Sequence, residues 1–184
     1  MLIPYDVRSN LQMLVDLLNT APGISSEDDR LASPENLSRF VRDHDFSGSV
    51  DATTLDVRVA SVLRERFRVV LGDDVREVVT AVNMTFDEIR VQPRLVEHDH
   101  WGWHLHAAGD RSPLGERMAS DIALVLTDLI RTGDLERLRA CAGDDCSAAL
   151  ADFTRNHSKR FCDVRSCANR THLAASRARR ASGD

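Results

Sequence analysis

The four cysteines of this 184-residue chain stand in two pairs of equal spacing, Cys141-Ala-Gly-Asp-Asp-Cys146 and Cys162-Asp-Val-Arg-Ser-Cys167, separated by fifteen residues. Two matched pairs supply the four soft thiolate donors of a closed tetrahedral zinc site, which leaves no open position for substrate or water. The pattern points to one structural Zn2+ held by Cys141, Cys146, Cys162 and Cys167, and not to a zinc enzyme. Two disulfides or four free thiols are the alternatives. No secretory signal pattern is evident and no cysteine precedes Cys141, which favours the metal.

Other residue types near the cysteines bear on nucleic acid. The segment Thr154-Arg-Asn-His-Ser-Lys-Arg160 offers Arg155, Lys159 and Arg160 to phosphates, or is a solvated loop. Asn169 and Arg170 follow the last cysteine. Arg170 has the forked geometry for a base edge or a phosphate; alternatively Asn169 bonds the knuckle backbone and Arg170 pairs with Asp152 or Asp163. Farther on, Arg170, Arg177 and Arg180 with Leu173 and Ala174 describe a terminal helix with a thin apolar seam and a broad basic face. A second cluster, His98, His100, His104 and His106, alternates on both sides of a turn and could share one face of a hairpin. Four imidazoles there could hold a metal or respond to pH at about 6. Histidine is equally ordinary on a solvated face opposite Trp103 and Leu105, and that is the reading adopted. Asn19 and Thr20, at the end of the first helix, are candidate ligand-binding residues, although Asn19 also suits a polar C-terminal cap. With no glycine-rich phosphate loop and no nucleophile motif, no enzyme is expected.

The elements that must position these residues are mainly helical. Leu11, Leu14, Val15 and Leu18 recur at helical spacing and predict a helix over 9–19. Ser33-Pro34 opens a second helix with Leu37, Phe40 and Val41 inward. A longer helix over 53–71 would bury Leu55, Val59, Val62, Leu63, Phe67 and Val70, with its arginines mostly on other faces. Val75, Val78, Val79, Val82 and Phe86 mark the next. The period then changes to two: Val91, Pro93 and Leu95 alternate with arginine and glutamine, and Trp103 and Leu105 with histidine, so a hairpin is expected with its turn near Trp101-Gly102. Pro113 opens a last long helix with Met118, Ile122, Val125, Leu126, Leu129 and Ile130 inward, which Gly133 ends. The expected fold is α+β, mainly α: a helical N-terminal domain with a small β-hairpin over 1–137, then a small four-cysteine zinc finger ending in a helix over 138–184.

Charge divides the chain in the same place. Residues 1–137 carry a net −9 and residues 138–184 a net +4, which together give the −5 of the whole. An acidic body with a basic end fits a tail that meets a polyanion. Because Lys159 is the single lysine, the preference for arginine is a habit of the sequence and not a mark of phosphate recognition. No apolar run reaches the about 18 residues of a transmembrane span, so a soluble, cytoplasmic protein is expected.

The residues of the C-terminal part resemble the CGNR zinc finger family, at Cys141-Ala142-Gly143, Cys146, Asp152, Thr154-Arg155-Asn156, Ser158-Lys159-Arg160, Cys162 and Cys167-Ala168-Asn169-Arg170. Ala168 stands where that family has glycine, a change that a helix beginning at Cys167 accepts readily. The upstream part resembles the ABATE domain that precedes this finger, at Leu17-Leu18-Asn19-Thr20, Ser33-Pro34-Glu35-Asn36-Leu37, Pro93-Arg94-Leu95, Trp103, Leu105, Pro113-Leu114 and Thr132-Gly133-Asp134-Leu135-Glu136-Arg137-Leu138. The resemblance implies a bacterial transcription regulator whose finger binds DNA; the residues read above as its contacts are Arg155, Lys159, Arg160, Asn169, Arg170 and Arg177. The N-terminal domain would sense a small-molecule or protein ligand, dimerise or contact a partner. The alternative is a zinc-stabilised protein-interaction or RNA-binding module without DNA specificity.

Overall fold

The computed structural model describes residues 5–46, 48–89, 91–97, 102–109 and 111–181. Helices α1 (Tyr5–Leu18), α2 (Pro34–Asp43), α3 (Thr54–Arg66), α4 (Val75–Glu88) and α5 (Leu114–Thr132) form the body, with the hairpin of β1 (Arg94–Glu97) and β2 (Trp103–His106) between α4 and α5. Local chemistry starts and stops them. Ser33 caps α2 by accepting from the Asn36 N–H, with Pro34 at the first helical position. Thr53 and Asp56 exchange bonds as a capping box at the start of α3, and Gly133 ends α5 in the left-handed region at φ 74°.

Helix α5 packs on α1, α3 and α4, and its Met118, Ile122, Leu126 and Leu129 meet Leu11, Leu14 and Leu18 of α1, Leu63 and Phe67, and Val78 and Val82 in one core. Each such side chain contributes about 1.5–3 kcal/mol by leaving water. Where α5 meets α3, a Cβ on Gly115 would lie 2.7 Å from Val59 Cγ1, so only glycine fits. The Gly115 N–H donates to Asp56 Oδ1 at 2.9 Å, which makes the α3 cap a link to α5 as well.

Three expectations are corrected. Leu55 and Val62, read as inward, are exposed, Leu55 at 65%. The buried face of α3 is instead Asp56, Ala60, Leu63 and Arg64, because the two charged residues find partners: Asp56 as above, and Arg64 through paired bonds of 2.8 and 2.6 Å to Asp29 and one of 3.2 Å to Thr20 Oγ1. Val75 and Val79 of α4 are exposed too, and Val78, Ala81, Val82 and Thr85 face inward. In the hairpin the faces are reversed. Leu95 lies opposite Leu105 and Glu97 opposite Trp103, and this apolar face is the solvent one, with Trp103 67% exposed and His104 only 8%. Burial of His104 is cheap because Nδ1 shares a hydrogen bond with the Gly102 carbonyl at 2.8 Å and Nε2 one with His106 Nε2 at 3.0 Å. His98, His100 and Trp101 lie outside the described residues. Among the described residues no helix is long and apolar enough to cross a membrane.

Candidate metal centre

A 3-10 turn at Leu135–Arg137 leads from α5 into β3 (Leu138–Ala140), which pairs antiparallel with β4 (Ala149–Ala151). The Cys141–Cys146 knuckle is the turn between them, closed at its base by the Cys141 N–H donating to the Ala148 carbonyl at 2.8 Å. Cys162 follows a polar loop, and Cys167 is the first residue of α6 (Cys167–Ala181). The four sulfurs all lie within 4.8 Å of one another. Cys146 and Cys162 are 3.8 Å apart and Cys162 and Cys167 4.0 Å. A tetrahedron built on Zn–S bonds of about 2.3 Å has edges of about 3.8 Å, so the donor set fits one such ion.

Hydrogen-bond donors reach two of the sulfurs. The Gly143 and Cys162 N–H groups donate to Cys141 Sγ at 3.4 and 3.3 Å, and Arg170 Nη2 donates to Cys167 Sγ at 3.2 Å. Burial pushes the Cys162 thiol up to about 12. It also raises Cys167, but there the bond from Arg170 helps to outweigh it and the net shift is downward. A divalent cation held by the four sulfurs would displace their remaining protons. Gly143 has no alternative, since a Cβ would lie 2.9 Å from Cys167 Cβ and 3.0 Å from its sulfur. Ala168, in the first turn of α6, sits in ordinary helix.

Asp152 organises the loop between the ligand pairs. Its carboxylate is fully buried and accepts from the Thr154 N–H and hydroxyl, the Lys159 N–H at 2.8 Å and Arg139 Nη2 at 2.7 Å. Burial opposes the charge, yet these donors hold the carboxyl below the usual carboxylate range. Arg170 therefore pairs with neither aspartate proposed from sequence: Asp152 is saturated, and Asp163 takes Lys159 Nζ at 2.6 Å. Arg155, Arg160, Asn169 and Arg177 are exposed, and the Arg160 guanidinium lies 5.9 Å from the Phe161 ring centre.

The body grips this module directly. Leu138, Ala149 and Ala151 belong to the same core as α1 and α5, while Ile24 packs with Cys141, Cys162 and Cys167. Asn19 donates from Nδ2 to the Ala149 carbonyl at 3.0 Å and accepts from the Ala149 N–H at 2.8 Å. Arg8 lies over the Phe153 ring at 4.6 Å, and Arg68 donates to the Ser147 carbonyl at 3.2 Å. Thr20 donates to Leu17 O and accepts from Arg64. Sequence reasoning missed Arg137, which donates to the carbonyls of Asp152 and Thr154, and missed Arg139. For Asp152 a signal existed, because Asp-x-Thr is a local turn motif in which the side chain accepts from the backbone two residues on.

Residues 137–180 match the CGNR zinc finger, and residues 11–133 match the ABATE family, described as "Putative stress-induced transcription regulator". Four cysteines placed to bind one metal ion accord with one structural zinc in that finger. Neither description names an enzyme. Comparison with curated proteins gives no match.

Proposed function

The chain belongs to the ABATE family, whose match covers more than half of it, and from that premise we propose that it is a transcription regulator that binds duplex DNA through its zinc finger. The observation that carries this reading is α6. Its first residue is a metal ligand, and from Asn169 to Arg180 it buries no residue, although it carries Arg170, Arg177, Arg179 and Arg180. A helix rooted at one end and basic toward the other is suited to lie along phosphates. The acidic body opposes approach, but at moderate salt its repulsion is screened within about 10 Å, whereas each arginine at a phosphate releases a counterion directly.

Arg155, Lys159, Arg160 and Arg177 are the proposed phosphate contacts, Lys159 by exchanging its exposed partner Asp163 for a phosphate, with Asn169 beside them. Arg170 Nη2 donates to Cys167 Sγ, and its proposed role is to brace the finger. Fluorescence anisotropy of the full zinc-loaded chain on duplex DNA, across a salt series, tests the proposal. With about four phosphates neutralised, the slope of log affinity against log salt is near −4, and Arg177→Ala flattens it by about one unit. Arg170→Ala lowers zinc retention before it changes the salt slope. Folded, zinc-loaded protein with no affinity for any duplex at low salt refutes the proposal and leaves a protein-interaction module as the account; preference for structured RNA over duplex DNA makes it an RNA-binding one.

A further inference from the structure

Between the end of α1, the segment 20–31 and α2 lies an open cleft of about 260 Å³. Arg30 and Arg39 line it, with Asp43 as the one carboxylate of the lining. In a body of net −9 this is a local excess of positive charge. The nearby acids do not remove it. Asp29 is committed to Arg64, and Asp16, whose field reaches Arg30, accepts from Gln12 and lies 3.5 Å from His44. Arg39 is exposed and its side chain makes no hydrogen bond or ion pair among the described residues, and Arg30 makes one side-chain bond, at 3.4 Å to Ser25. Leu31 and Phe40 supply an apolar wall, and Asn36 an amide.

These features select a ligand class. The volume is below the about 300–1,000 Å³ of sites for drug-sized molecules. Two guanidinium groups against one carboxylate favour a single negative charge over a dianion, and the apolar wall favours hydrocarbon beside it. The cleft also adjoins the seat of the finger. Thr20, in the lining, is the neighbour of Asn19, whose amide holds Ala149. The Arg30 N–H donates to the Thr20 carbonyl at 3.1 Å, and the loop so closed carries Ile24 against the cysteines.

We propose that this cleft binds a small organic monocarboxylate, Arg30 and Arg39 taking the carboxylate and Leu31 and Phe40 the hydrocarbon, and that binding steadies the 20–31 segment against the finger. The coupling acts by ordering a segment that both sites share. It holds whether or not the finger binds DNA.

The test is calorimetric titration of the full zinc-loaded chain with benzoate, with hexanoate and, separately, with inorganic phosphate. Benzoate or hexanoate binds, phosphate does not compete, and Arg39→Gln and Arg30→Gln each weaken binding about tenfold or more, as expected for loss of a charge-assisted hydrogen bond. Both arginines are exposed, so the variants keep their circular dichroism and zinc content. Bound carboxylate also slows amide exchange at Ala149 and Ile24 several-fold. Absence of binding by both carboxylates at millimolar concentration overturns the site, as does unchanged affinity in both variants. Preference for phosphate overturns the ligand class, and unchanged exchange at Ala149 overturns the link to the finger.

Discussion

Replacing Asn19 with alanine tests how the finger is seated. Asn19 is 2% exposed, and its amide makes both of its bonds to one residue of β4. In the β3–β4 ladder the bonded positions are fixed by Cys141 N–H to Ala148 O and Asp152 N–H to Arg137 O. Ala149, opposite Ala140, is thus a non-bonded position whose N–H and C=O point away from β3. Among the described residues Asn19 alone satisfies them. The alanine variant leaves one buried donor and one buried acceptor unmet at about 1–3 kcal/mol each. Together they cost about 2–6 kcal/mol and the cavity adds to that, so a loss of about 3 kcal/mol or more is expected. Urea unfolding of the zinc-loaded protein, followed by circular dichroism, measures it, and zinc release to a chelator is expected to quicken in parallel. Asn19→Asp separates the two bonds: a carboxylate still accepts from the Ala149 N–H but repels the carbonyl, so the penalty shrinks as pH falls and the acid regains a proton to donate. A loss below about 1 kcal/mol for Asn19→Ala would mean that water replaces the amide at no cost, and the clamp would be refuted.

Cys162→Ser is expected to abolish the single bound zinc and render the chain after β3 protease-sensitive, while α1–α5 keep most of the helical signal; a metal-free chain whose finger still resists protease contradicts this. Burial pushes the Asp121 carboxyl to about 7 against the pull of Arg117 and Ser120. Because that native value lies above the unfolded one, its contribution is full below the unfolded value and is lost as pH rises through about 7. Asp121→Asn should therefore raise the thermal midpoint above pH 7 and flatten the decline between acid and neutral pH, and a profile parallel to that of the parent protein would show that Asp121 is not the source.

The metal site was legible in the sequence because its donors are local: each knuckle holds two thiolates close together, and matched knuckles mark a shared ion. The cap at Ser33 was equally local, satisfied within three residues, whereas the box of Thr53 with Asp56, just as local, went unread. Hydrophobic periodicity was a weaker guide because it assumes that an interior face is apolar. It misplaced α3, whose inward positions include Asp56 and Arg64, and it reversed the hairpin, where His104 went in and Trp103 stayed out. A buried polar group costs little once it is bonded, and the partners that make it so lie far along the chain. Asp56 meets Gly115, Arg64 meets Asp29, and Asn19 meets Ala149 across 130 residues. Which polar side chains can enter the core is therefore decided only when the tertiary structure brings their partners to them. That same assembly, not the spacing of the cysteines, joins the zinc finger to the helical body.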